Sequence, residues 1–211
     1  MAPFALFLAL LALGREVDLG AWTEPLRLLL LTASLWFFSS RVIDLKVSNV
    51  SGSAILGAAV FLIWIAPDLL FEGYRHHWLF ENALLGHAES SMPESLRTDT
   101  LFLVLRGVRA AIFVPIIEEL FWRAWLMRWI ADSDFKRIPL GTYVPRAFWI
   151  TVVLFASEHG SHWDVGLAAG ILYNWWMLRT KRLGDCILAH AVTNAALSAY
   201  VIFAGKWQYW T

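Results

Sequence analysis

The sequence predicts an all-α protein, a polytopic membrane helical bundle with about seven transmembrane helices around a polar interior cavity. Three observations predict it. Of 211 residues, 59% are apolar and 16% are charged, against about 25% charged in an ordinary soluble domain. The apolar residues fall in runs approaching the ~20 residues a helix needs to cross a bilayer. Within those runs stand six polar groups: Glu118, Glu119 and Arg123 in PIIEELFWRAW, His159 in LFASEHG, and His190 and Asn194 in LAHAVTNA. An ionised group at membrane depth costs roughly 2.5 kcal/mol or more. Six such groups in three helices imply a chamber that solvates them.

The elements follow in order. The first run, 3–22, is interrupted by Arg15, Glu16 and Asp18 and so is partly interfacial. Its core from Ala2 to Leu13 resembles a signal-peptide core but lacks the preceding basic residues, and it reads as a membrane helix. Helices two and three are expected over 26–43 and 50–71. The stretch from Glu72 to Asp99 is the longest polar connection; with His76, His77, His87 and Pro93 and no apolar repeat, it reads as an extramembrane loop. Helix four covers 100–129, and its Arg106 and Arg109 are expected to snorkel or to pair with acids of the 72–99 loop. Helix five, 147–159, is short for a full span. Helices six and seven cover 163–178 and 185–204. No repeat or linker divides the chain, so 1–211 reads as one integral-membrane domain.

Charge excludes some functions and gives an orientation. The formal net charge is zero, which gives no footprint for a nucleic acid. Cys186 is the only cysteine, so neither an intrachain disulfide nor a cysteine zinc cluster can form; it reads as a small packing residue. Many of the 13 Trp stand near the ends of apolar runs, as in an interfacial aromatic belt. Basic residues gather in three loops that alternation places on one side: Arg41 and Lys46; Arg128, Lys136, Arg137 and Arg146; Arg179, Lys181 and Arg182. The positive-inside rule makes that side cytoplasmic.

Depth brings the polar groups together. Counted from the basic loops at about 1.5 Å per residue, Glu118 lies ~15 Å deep, His159 ~20 Å, and His190 and Asn194 ~12 and ~18 Å. His190 and Asn194, four apart, share one helix face, and Glu119 can reach Arg123 in the same way. Glu118 lies about 100° round from Glu119, so one glutamate can pair with arginine while the other faces elsewhere. A carboxylate in a partly dry cavity makes a stronger base, a nearby histidine can steer the proton, and His and Asn donors can stabilise an oxyanion. These are the parts needed to add water to a carbonyl.

Each element alone has a plainer reading. Glu119 with Arg123 is more often a structural ion pair, and a His–Asn pair often bonds neighbouring membrane helices. Glu158 reads as a helix-end residue, His162 as interfacial, and Tyr173 and Asn174 as occasional cavity liners. The set carries the argument for a catalytic cavity.

EELFWR resembles the E-E-x-x-x-R motif of the CAAX-protease and bacteriocin-processing family, also called abortive-infection or type II CAAX prenyl endopeptidases. FASEH, from Phe155 to His159, resembles its F-x-x-x-H motif, and HAVTN, from His190 to Asn194, its H-x-x-x-N motif. The resemblance covers roughly 100–204. It implies an intramembrane endopeptidase in which Glu118 is the general base and His159 helps activate water. His190 and Asn194 would form the oxyanion site, and Glu119 and Arg123 would organise the base. Eukaryotic members remove the last three residues of prenylated CAAX proteins. VPIIEELFWR with AHAVTNAALSAYV is also similar to a bacterial branch associated with exosortase systems. The resemblance implies a multi-pass protein of a bacterial inner membrane, with membrane lipid and a membrane-tethered or lipid-modified protein as partners. It points to a glutamate mechanism without a cofactor. Two histidines and a glutamate leave zinc as the lesser alternative. A peptide-binding scaffold keeps the same polar core, and a transporter is disfavoured by the lack of repeated halves. The site cavity is expected to open toward the basic face or sideways to lipid.

Overall fold

The computed structural model describes residues 1–17, 19–83, 85, 90 and 92–210, with Arg15 described by its backbone alone. Asp18 and His87 lie outside the described residues. Among the described residues, seven α-helices follow in the expected order. They are α1 Ala2–Glu16, α2 Thr23–Ser39, α3 Val50–Leu70, α4 Thr100–Ala131, α5 Pro145–Ser157, α6 Trp163–Thr180 and α7 Leu183–Ala204. Three of them, α3, α4 and α7, are long and apolar enough to cross a membrane. Ala2–Gly14 and α5 are apolar but shorter. The first helix stops at Glu16, and a separate 3-10 turn, Gly20–Trp22, with Gly20 at φ 54°, leads into α2.

Local chemistry sets the helix starts. Asn49 and Asp99 are N-caps: their side chains accept from the Gly52 and Phe102 amides at 2.9 and 3.0 Å, which satisfies an otherwise orphaned donor. Pro145 occupies the first turn of α5, where its missing N–H is not needed. At the start of α7, Asp185 accepts from the Ser48 amide and hydroxyl and from the Asn49 amide, at 2.8, 2.6 and 3.0 Å. The loop before α3 is thereby pinned to α7.

Helix α4 is not uniform. It has π-helical segments at Arg109–Phe113 and Leu120–Leu126, flanking an α-helical turn that carries Pro115, Glu118 and Glu119. Proline removes a backbone donor and clashes with the carbonyl four residues back, and a π-bulge just upstream relieves both. The altered register leaves backbone carbonyls to find other donors. One of them, Ala110 O, accepts from Asn194 Nδ2 at 2.9 Å.

Helices α3 and α7 pack extensively against each other. A Cβ on Gly57 would stand 2.3 Å from Ala189 O and 2.8 Å from Val192 Cβ. The Gly57 carbonyl accepts from Thr193 Oγ1 at 2.8 Å. Backbones at this separation admit only glycine, so Gly57→Ala is expected to lower the melting temperature, with overpacking costing about 1–3 kcal/mol. Thermal unfolding in detergent reads this, and an unchanged midpoint would contradict the close approach.

The 72–99 connection is more than a solvated loop. Arg75 is buried, bonded to Asp68 at 3.1 Å and to Asp164, and Tyr74 OH bonds Asp164 at 3.1 Å. Phe80 is buried and stacks on Trp163 at 5.8 Å. Met92 is buried with Tyr209 and Trp210, residues that follow α7. The connection therefore packs over one end of the bundle. That end is opposite the basic loops.

Candidate active site

Glu119 is the hub of the polar interior. Fully buried, its Oε1 accepts from Arg123 Nη1 and from His190 Nδ1, both at 2.9 Å. A carboxylate oxygen paired with a guanidinium is an acceptor, so His190 Nδ1 carries the hydrogen and Nε2 is the nitrogen left for a ligand. Arg123 is also fully buried and donates from Nε to Asn174 Oδ1 at 3.0 Å. Asn174 in turn donates to the Phe148 carbonyl at 3.0 Å. The guanidinium carbon stands 4.6 Å from the Phe155 ring centre and 5.4 Å from that of Tyr173. Aromatic faces on a desolvated cation add about 2 kcal/mol.

Glu118 points elsewhere. It is buried, and its Oε2 has no hydrogen-bond partner among the described residues. It lines a cavity of about 210 Å³ together with His159, His190 and Asn194. The two adjacent glutamates thus divide as the 100° offset requires, one tied to arginine and histidine, the other facing open space. A buried carboxylate oxygen left unbonded calls for an explanation, and a site for water or substrate supplies one.

The other groups are oriented by single hydrogen bonds. His159, just past the end of α5, places Nδ1 2.8 Å from the Phe155 carbonyl. A carbonyl only accepts, so Nδ1 is the protonated nitrogen and Nε2 is an acceptor in the neutral ring. Trp64 packs edge-on against His159 at 5.1 Å. Asn194 spends one amide hydrogen on Ala110 O and keeps the other, with its Oδ1, free for the cavity. Tyr173 stacks on the His190 ring at 5.0 Å and donates to Thr193 Oγ1 at 2.7 Å, which fixes the plane of the imidazole.

Several residues stand differently from their sequence reading. His162 is buried at 4% exposure, stacks parallel to Trp64 at 6.3 Å and lines the cavity, rather than lying at an interface. Glu158 caps α5, as a helix-end residue would, and also lines the cavity. Tyr173 is a liner, whereas Asn174 lies behind Arg123. Among the described residues, Arg106 and Arg109 turn to an acid outside the 72–99 loop. Arg109 makes a bidentate pair with the fully buried Glu24 of α2, at 2.6 and 3.0 Å, and Arg106 stands 3.9 Å from the same carboxylate. A glutamate in the first turn of an apolar helix looks like a cap from sequence, which is why Glu24 went unnoticed as their partner.

Of the two expected directions of opening, the lining of the cavity does not follow the one toward the basic face. From His190 its lining continues along α7 to Asn194, Leu197 and Ser198, then to Tyr209 and Trp210. On α4 it runs from Glu118 back to Ala110. All of these lead away from the basic loops. Short α5, ending before His159, leaves room for the chamber on that side.

The fold is an all-helical bundle with long apolar helices, and a chamber lined by carboxylate, imidazole and amide groups lies inside it. Residues 100–196 match the family model described as type II CAAX prenyl endopeptidase Rce1-like. The matched stretch contains Glu118, Glu119, Arg123, His159, His190 and Asn194. No curated protein and no solved structure matches the chain.

Proposed function

We propose that this protein is a membrane-embedded endopeptidase that hydrolyses a peptide bond of a membrane-tethered or lipid-modified protein by a glutamate mechanism. One observation carries the reading: Glu118, unpaired by any protein group at Oε2, shares a cavity with His159, His190 and Asn194 inside the stretch that matches the peptidase family.

The chemistry follows from the orientations above. Glu118 takes a proton from a water in the cavity, and the oxygen attacks the scissile carbonyl carbon. His159 Nε2 accepts the water's other hydrogen and so aims its lone pair. Negative charge develops on the carbonyl oxygen, where the free amide hydrogen of Asn194 can meet it. His190, held at Nδ1 by Glu119, supplies a second donor from Nε2 when both ring nitrogens carry hydrogen. Collapse of the tetrahedral intermediate breaks the C–N bond, and Glu118 returns its proton to the departing amine. Glu119 and Arg123 act through His190 and are positioning residues.

The finer assignments belong to this proposal: a bilayer-borne substrate, a bacterial inner-membrane location and the exosortase-associated branch. The test is purified protein incubated with lipidated and membrane-tail peptides and read by mass spectrometry, with Glu118→Gln alongside. Specific cleavage by the wild type alone supports the reading; no cleavage of any peptide, or equal cleavage by both proteins, defeats it.

Zinc is the competing route to an activated water. Among the described residues, no three His, Cys, Asp or Glu side chains stand close enough together to hold a metal ion. Turnover is therefore expected to survive exhaustive chelation. Loss of activity on chelation, restored by stoichiometric zinc, would replace the carboxylate mechanism with a metal one.

A further inference from the structure

Two further unbonded polar atoms border the chamber, on residues the mechanism above does not use. The His162 ring is buried, and its Nε2 has no hydrogen-bond partner among the described residues. Ser198 is also buried, at 6% exposure, and leaves its Oγ unbonded in the same way. Both residues line the cavity that holds Glu118. A buried hydroxyl or ring nitrogen without a partner costs free energy, and an apolar side chain would pack at either position without that cost. Two such atoms on one cavity, beside Glu118 Oε2 in the same condition, call for a ligand that pairs them.

The fold sets both residues next to the reacting groups. Ser198 follows His190 and Asn194 at four-residue steps along α7, so the three share one helix face. It lies one turn beyond Asn194, about 6 Å along the axis. His162 ends the turn Gly160–His162 that directly follows His159. Trp64 touches both histidines, edge-on to His159 at 5.1 Å and parallel to His162 at 6.3 Å. Tyr209 packs on the His162 ring at 5.5 Å, and Leu197 and Trp210 add apolar walls.

Hydrogen-bond chemistry selects the ligand. His162 Nδ1 stands 3.3 Å from Ser161 Oγ. A hydroxyl can donate or accept, so Nε2 can serve in either role, as can the Ser198 hydroxyl. Alcohols and carboxamides both donate and accept, and they match such a pair. A carboxylate only accepts and would meet Glu118 and Glu158 in the same cavity; an ammonium only donates. An extended peptide rises about 3.3 Å per residue, so the step from Asn194 to Ser198 spans about two residues of substrate. Resting on the endopeptidase reading above, we infer that His162 and Ser198 form a specificity subsite for a neutral hydrogen-bonding side chain, an alcohol or a carboxamide, within two residues of the scissile bond.

The experiment uses N-palmitoylated decapeptides of mixed sequence, incubated with the full-length protein, with each cut located by mass spectrometry. Peptides carrying threonine or its isostere valine, or lysine or glutamate, at each position within two residues of the cut then give kcat/KM. Threonine–valine pairs scanned through every position are also titrated onto the Glu118→Gln protein. At one position threonine is expected to exceed valine about tenfold in kcat/KM, mainly through KM, the worth of two hydrogen bonds to otherwise unpaired groups. Ser198→Ala and His162→Phe should each bring the ratio toward one, and His162→Gln, which keeps a polar atom near the place of Nε2, should retain part of it. Ser198→Ala breaks no hydrogen bond, so its melting temperature should not fall, and it carries the test should His162→Phe fold poorly. Equal cleavage of threonine and valine peptides at every position overturns the inference and leaves the endopeptidase reading intact. A preference for lysine or glutamate over threonine, or a threonine preference that survives both Ser198→Ala and His162→Phe, also overturns it. Threonine-selective binding without cleavage of any peptide upholds the subsite and removes the endopeptidase.

Discussion

Glu118→Gln is expected to abolish peptide cleavage while leaving the fold unchanged, the larger of two effects that separate this site from a structural polar core. Glutamine keeps the size and shape of the side chain and removes its ability to take up a proton. General base catalysis contributes roughly 10²–10⁴ in rate, and here Glu118 also returns the proton to the leaving amine, so a loss near the upper end is expected. Stability should hold for a separate reason. The carboxylate is buried, its Oε2 has no partner, and no hydrogen bond to Glu118 is seen among the described residues. Replacing it by a neutral amide removes a desolvated charge without breaking a contact. Turnover within a few-fold of wild type would remove Glu118 as the base. A large drop in melting temperature would instead place it in the framework of the bundle.

Helix positions were legible because they rest on one strong signal, the length of apolar runs: 50–71 became Val50–Leu70 and 185–204 became Leu183–Ala204. The Glu119–Arg123 pair was legible because four-residue spacing on a helix is local geometry. What stayed hidden depends on contacts between distant segments. Asn174, fifty-one residues from Arg123, holds that guanidinium by one hydrogen bond. Glu24 lies eighty-five residues from its partner Arg109. The course of the chamber depends on Tyr209 and Trp210 folding back beside α4, and no periodicity encodes that return. The π-helical segments of α4 were also unreadable, although Pro115 marks where one of them is needed. Counting residues from the basic loops placed the polar groups at similar depths, but it could not tell on which side of that layer the open space lies.

Arg123→Ala should be the most destabilising of the site substitutions and should also remove activity. Its guanidinium is fully buried, donates to Glu119 Oε1 and Asn174 Oδ1, and lies against two aromatic rings. Removing one partner of a buried pair costs roughly 3–5 kcal/mol, mainly because the remaining charge is left uncompensated. In this protein the stranded group is Glu119, whose Oε2 already lacks a partner. Among the described residues, His190 is then its one remaining hydrogen-bonding neighbour at Oε1. Loss of Arg123 frees the Glu119 oxygen that holds His190 Nδ1, so the damage reaches the reacting carbonyl through a residue Arg123 does not touch. Glu119→Gln with Arg123→Met should recover much of the lost stability, since an apolar replacement of a buried pair is often neutral. The double variant should remain inactive, because His190 has lost its carboxylate. Thermal unfolding and peptide turnover, measured on both proteins, decide the matter: an unchanged melting temperature in Arg123→Ala contradicts a buried pair, and an active double variant contradicts a positioning role for Glu119.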